Sequence, residues 1–119
     1  MHNFRELKVW KMGIEISKMV FQVTRTFPVE ERYSLTSQLT RCAISIPSNI
    51  AEGCGRKSAK ELNQFLSISL GSAFELETQM ILAYEFGYMD KAIYDNAIVQ
   101  INEVQKMING LQRSLSIQS

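Results

Sequence analysis

Apolar residues recur in steps of three and four along most of the chain, with polar residues between them. That is the period of one face of an α-helix. Val9, Met12, Ile16, Val20, Val23 and Phe27 form the first line. Pro28 closes it, because proline pushes the residue before it out of the helical region. Leu7, Trp10, Ile14 and Phe21 make a second apolar line on the same segment. It lies about a third of a turn from the first at ~100° per residue. A second helix begins between Glu30 and Ser34, and Leu35, Leu39, Ala43, Ile46 and Ile50 follow its core line to a stop at Gly53 and Gly55.

The third helix has a sharper start. Ser58 and Glu61 form a capping box, in which each side chain satisfies a backbone N–H of the other. Leu62, Leu66, Ser69, Ala73, Leu76, Met80 and Ala83 carry this helix to Gly87. Asp90 is the expected N-cap of the fourth helix, followed by Tyr94, Ile98, Ile101, Ile108, Leu111 and Leu115. No segment alternates with period two. Short connections between long helices force neighbours antiparallel. The pattern therefore predicts an all-α protein, an antiparallel up-down-up-down four-helix bundle filling residues 1–119 as one domain. Pro47 falls inside the second helix, removes one backbone hydrogen bond and crowds the Ala43 carbonyl, so a kink is expected there.

Length and composition agree. A chain of 119 residues that is 45% apolar can bury one sizeable core. No apolar run approaches the ~20 residues that span a bilayer. The opening "MHNFRELKVW" has no apolar signal core, so the expectation is a cytoplasmic protein with no membrane partner. The net charge of +1 hides an asymmetry: residues 1–60 carry ten Lys/Arg against five Asp/Glu, a balance of +5, and residues 61–119 carry three against seven, a balance of −4. Such halves give a helical protein a basic and an acidic face.

Candidate chemistry is sparse. The stretch "GCGRKS" hints at a phosphate loop, but a Walker loop needs glycine where Ser58 stands, Arg56 separates Gly55 from Lys57, and no strand precedes it. It reads better as a helix-turn-helix joint. Upstream, Asn49 and Glu52 share a face. They are either ligand groups or hydrogen bonders that fix register between helices, and the second reading is the one adopted. Their expected partners make a polar motif of Arg41, Ser45, Asn49, Glu52, Ser72 and Glu75, with an Arg41–Glu75 pair within reach and Ser69 a further candidate. Cys42 and Cys54 lie twelve residues apart on one helix. That is about 18 Å, too far for a disulfide. Two cysteines and one histidine, His2, cannot close a zinc site. Glu75 and Glu77 point to different faces. No nucleophile with its base is evident, so no catalytic residue, metal or cofactor is expected and the chain reads as a non-enzyme.

The segments "FRELKVWKMG", "FPVEERYSLTSQLTRCAISIPSNIAEGCGR" and "ELNQFLSISLGSAFELETQMILAYEFGYM" resemble the 23S rRNA intervening-sequence proteins. "SIPSNIAEG" and "GSAFELETQ" carry most of the likeness, which covers about residues 4–90 and matches the fourth helix only in pattern. The resemblance implies a four-helix bundle that assembles into a five-fold ring. A related branch, the accessory protein of diversity-generating retroelements, is similar, and implies binding of nucleic acid and of a reverse transcriptase by a pentameric barrel.

Two functions follow. One is a sequence-nonspecific nucleic-acid-binding or ribonucleoprotein accessory module, taking RNA or DNA on Lys8, Lys11, Lys18, Arg25, Arg41, Arg56, Lys57 and Lys60. Lys11, Lys18 and Arg25 recur every seven residues and share a face. The other is a structural adaptor that contacts proteins, including one encoded nearby. Either would be a homo-oligomer, expected to be a pentamer, that buries the line Leu7, Trp10, Ile14 and Phe21, since a monomer would expose it.

Overall fold

The computed structural model describes residues 3–118, with side chains to residue 116. His2 lies outside the described residues. A short 3-10 turn, Phe4–Glu6, leads into α1 (Lys8–Thr24). A second such turn, Val29–Glu31, precedes α2 (Leu35–Cys54), and α3 (Ala59–Glu85) and α4 (Lys91–Gln118) follow. There is no strand among the described residues. Each helix packs on its neighbours in sequence, and α4 closes the ring against α1.

The helices are antiparallel, because paired positions rise along one helix as they fall along the next. Gly13 meets Pro47 while Ser17 meets Ala43. Gly53 meets Leu62, Ile46 meets Ser69 and Cys42 meets Glu75. Tyr84 stacks on Tyr94 and Gln112 reaches Ser67. The chain is thus an up-down-up-down bundle 46 Å long.

The helix ends have local causes. The Ser58 hydroxyl accepts from Glu61 N at 3.1 Å and caps α3. Asp90 Oδ1 accepts from Ile93 N at 2.9 Å and caps α4. At the far end of α3, Gly87 takes a positive φ of 82°. Its N–H bonds to the Tyr84 carbonyl and that of Tyr88 to the Ala83 carbonyl, the paired closure that needs a left-handed residue. Gly53 does not stop α2, which runs through Pro47 to Cys54 as one helix. A Cβ on Gly53 would lie 2.8 Å from Leu62 Cδ1 and 2.9 Å from Phe65 Cβ, so this glycine serves close approach to α3.

The core is continuous. Ile16, Val20, Leu39, Ile46, Ile50, Leu62, Leu66, Leu76, Met80, Ile101, Val104 and Ile108 are fully buried. Every position of the expected α3 line is buried, Ser69 included. Of the expected α4 line, Ile101, Ile108 and Leu115 are buried, while Tyr94, Ile98 and Leu111 pack partly against the core.

Candidate functional site

Pro47 organises the middle of the bundle. Its ring lies in van der Waals contact range of Gly13, where an added Cβ would come within 3.1 Å of Pro47 Cβ. Proline supplies no N–H to the Ala43 carbonyl one turn before it. Ser17, one turn along α1 from Gly13, donates its hydroxyl to that carbonyl at 3.2 Å and also lies 2.9 Å from the Gly13 carbonyl. The single Ser17 proton is shared between the two carbonyls, so the backbone group freed by the proline is offered a donor from another helix.

On the other side of α2 the expected polar motif forms in part. Ser45 and Ser72 share a hydrogen bond of 2.8 Å between α2 and α3. The Asn49 amide donates to the Ser45 carbonyl at 2.8 Å and to the Ser45 hydroxyl at 2.9 Å. Ser69 donates to the Ile46 carbonyl at 2.9 Å. Glu52 stands apart: its carboxylate turns to solvent and pairs with Arg56 at 2.8 Å. Arg41 and Glu75 are both exposed and form no ion pair within 4.0 Å. Between them the Cys42 thiol lies 4.0 Å from Glu75 Oε2. Burial pushes the Cys42 thiol up, and the Glu75 charge adds to the shift. Burial likewise raises Cys54. Both cysteines are free, and neither has the lowered pKa of a reactive thiolate.

The cations separate by position along the bundle. Because Gly13 is level with Pro47 and Gly53 with Leu62, the start of α1 lies at the same end as the α2–α3 turn. Arg5, Lys8, Lys11, Arg56, Lys57, Lys60 and Arg113 gather there against Glu6, Glu52 and Glu61. Among these cations only Arg56 is in an ion pair; its guanidinium also lies 4.7 Å over the Phe65 ring. Lys18, midway along α1, is 3.7 Å from Glu15. Arg25 is at the opposite end and Arg41 on the outer face of α2, so the structure divides the eight basic candidates rather than gathering them into one patch. The backbone N–H groups of Gly55 and Arg56 close onto the Glu52 and Gly53 carbonyls, which commits them to the turn.

The second apolar line of α1 also divides. Trp10 and Ile14 line a shallow groove of about 310 Å³ with Ile44, Pro47 and Ala51 of α2. Trp10 sets its ring edge-on to Phe4 at 5.2 Å. Leu7 borders Met107 and Leu111 of α4 in a separate groove. Phe21 is 42% exposed and lies further along, beside Arg25. Ser17 and Gly13, absent from the expected site, had one sequence signal: two small residues four apart on an otherwise large-residue helix.

Among the described residues no group of three His, Cys, Asp or Glu could hold a metal ion. No described helix is long and apolar enough to cross a membrane. What the geometry defines is a four-helix bundle with a serine-lined, proline-centred seam and a cationic end. The chain belongs to the 23S rRNA-intervening sequence protein family, whose model matches residues 5–110. The likeness thus reaches well into α4, beyond the three helices that carry the quoted motifs. A crystal structure of a protein of unknown function from the S23 ribosomal protein family of Bacteroides thetaiotaomicron VPI-5482 superposes with a TM-score of 0.81 at 21% identity, covering 87% of this chain and 97% of that one. That likeness concerns the fold. No curated protein matches the sequence.

Proposed function

We propose that this protein is a non-catalytic, self-assembling bundle that holds nucleic acid by its phosphates, as an accessory to a ribonucleoprotein. The observation that carries the proposal is the cationic end, where Arg5, Lys8, Lys11, Lys57, Lys60 and Arg113 stand without an acidic partner among the described residues. Unpaired cations at helix ends suit phosphate oxygens, and no helix presents a set of base-reading side chains. Binding is then electrostatic and indifferent to sequence. A ring of copies multiplies a weak contact, since each further site engages at high effective concentration.

Self-assembly has its own support. The groove of Trp10, Ile14, Ile44 and Ala51 leaves apolar surface uncovered, and Ile44 is 46% exposed. A second copy is the occupant proposed, in a five-membered ring. The adaptor reading is favoured by the exposed Ile68, Phe74 and Leu82 of α3 and Phe86 just after it, which suit a protein partner.

Filter binding with RNA and DNA of equal length tests the proposal. Affinity is expected to fall at least 10-fold between about 50 and 200 mM salt. Changing Lys57 and Lys60 together to Glu should weaken both ligands alike. Absence of any complex at low salt would hand the case to the adaptor. Light scattering reads the size of the assembly, and a stable monomer at micromolar concentration would remove the ring.

A further inference from the structure

Phe21 sits in surroundings unlike those of the other apolar residues on its line. It borders an open groove of about 440 Å³ at the α1–α2 connection, shared with Arg25, Val29, Arg32, Thr36 and Thr40. That volume falls within the roughly 300–1,000 Å³ typical of small-ligand sites. Among the described residues, Arg25 and Arg32 have no carboxylate within ion-pair reach. Glu31, in the connection, spends its two oxygens on Ser34 at 2.7 Å and Tyr88 at 2.7 Å. Glu30 is exposed and forms no ion pair. Phe21 and Arg25 also line a second groove of about 300 Å³, with Ser17, Lys18 and Gln22. Phe21 therefore stands on the ridge between two clefts, each bordered by cations.

We infer that this groove receives one unpaired nucleotide of a single strand, its base against the Phe21 ring and its phosphate between Arg25 and Arg32. The inference rests on the nucleic-acid reading above and adds a preference that charge alone does not give. Two guanidinium groups bind phosphate oxygens as planar, bidentate donors. An exposed aromatic ring offers a stacking platform to any base, but only to a base that has left its own stack. Val29, 71% exposed, widens the apolar wall beside the ring. Lys18, 3.7 Å from Glu15, and Lys11 lie on the same face as Arg25, so a strand leaving the groove toward the basic end passes one paired and one unpaired lysine. From Lys11 to Arg25 is about 21 Å along the helix. This arrangement requires Phe21, unlike Trp10 and Ile14, to stay outside the proposed contact between copies.

The test compares one labelled oligonucleotide of about 15 bases, unstructured, with its duplex, by fluorescence anisotropy at moderate salt. The full chain should bind the single strand more tightly than the duplex. Phe21→Ala should weaken single-strand binding about 5-fold or more, the effect of losing one stacked base, and leave duplex binding within 2-fold. Phe21→Leu keeps an apolar side chain and should lose as much, which separates stacking from folding. Arg25→Ala with Arg32→Ala should weaken the single strand while light scattering reports an unchanged assembly. A 2-aminopurine base in the strand should be quenched by the full chain and not by Phe21→Leu. If both Phe21 variants bind the single strand as the parent does, while Lys57 and Lys60 changed to Glu weaken both forms, the groove is not a base site and the electrostatic reading stands. If neither form binds the parent, that reading falls and this one with it. Binding of free adenosine monophosphate that depends on Phe21, without single-strand preference, would assign the groove to a free nucleotide and overturn the strand.

Discussion

The two faces of α3 are held by different means. Toward α2, approach is close and rests on small residues: Gly53 admits Leu62 and Phe65, and Ser45, Ser69 and Ser72 exchange short hydrogen bonds with backbone and with each other. Toward α4, long polar and aromatic side chains make the contacts. Gln105 donates to Glu77 at 2.8 Å, Gln112 to Ser67 at 3.0 Å, and Tyr84 stacks on Tyr94 with ring centroids 4.3 Å apart. A seam built on glycine and serine tolerates almost no added volume. One built on glutamines can shift its side chains to accommodate a change. The first sets register; the second closes the bundle.

The largest expected effects come from two glycines that probe this contrast with opposite sign. Alanine at Gly53 gains roughly 1 kcal/mol of helix propensity. It also places a Cβ 2.9 Å from Phe65 Cβ, an atom that cannot swing aside. Overpacking of this kind costs about 1–3 kcal/mol. Gly53→Ala should therefore lower stability in urea titration despite the better helix former. Gly71, on the exposed side of α3, has nothing within 4 Å of an added Cβ. Gly71→Ala should raise stability by about 0.5–1 kcal/mol. A neutral Gly53→Ala would mean that α2 and α3 are not as close as described.

The next effect tests whether Ser17 exists to serve Pro47. Ser17→Ala leaves the Ala43 carbonyl without its side-chain donor. Losing such a bond costs about 0.5–1.5 kcal/mol. In a Pro47→Ala background, residue 47 regains an N–H that reaches the same carbonyl, so the serine becomes redundant. Ser17→Ala should then cost clearly less, and the double-mutant cycle should return a coupling of at least about 0.5 kcal/mol. Equal cost in both backgrounds would separate the serine from the proline.

These tests bear on what was legible in the sequence. The α3 core line reads correctly because its period is local, and the Ser58 hydroxyl fixes the helix start by accepting from Glu61 N, although the Glu61 carboxylate takes the Ser58 hydroxyl and not its N–H. Gly53 misleads because a glycine at a helix end and a glycine at a helix crossing look alike. They differ in what lies opposite, and only Gly87 adopts the positive φ that reserves a site for glycine. The serine partners of α2 on α3 follow from counting outward from the turn. Ser17 does not, because its role depends on a carbonyl freed on another helix. Glu52 was expected to turn inward with Asn49, yet Arg56 one turn on offers it a solvated partner. A solvated pair avoids the desolvation cost of a carboxylate inside the seam. Lys11, Lys18 and Arg25 share a helical phase that Glu15 visibly interrupts, and Lys18 lies 3.7 Å from Glu15. Phase says nothing, however, about the distance between Arg25 and Lys57.

The smallest expected effect lies where the two ends of the chain's helical pairs meet, at the α1–α2 and α3–α4 connections. Tyr88 donates its hydroxyl to Glu31 at 2.7 Å while its ring packs on Phe27 at 5.4 Å. The Ser34 hydroxyl, followed by that of Tyr88, holds the Glu31 carboxyl below its ordinary range. The same bond to Glu31 raises the Tyr88 phenol. A carboxyl depressed on folding stabilises the fold above the ordinary glutamate range and loses that contribution as pH falls through its folded value. A phenol raised on folding favours the neutral form, so its contribution holds below the ordinary tyrosine range and fades as pH rises through its folded value. Tyr88→Phe keeps the ring and removes the bond. The parent should therefore exceed the variant in melting temperature by a small margin at neutral pH, and the margin should close at both extremes, first on the acid side below the glutamate range and again above the tyrosine range. Gln112→Ala, on the looser α4 seam, should show no such pH dependence, because neither it nor Ser67 titrates. A Tyr88→Phe difference that stays constant from acid to alkaline pH would assign the stabilisation to packing on Phe27 and leave the charged hydrogen bond without effect.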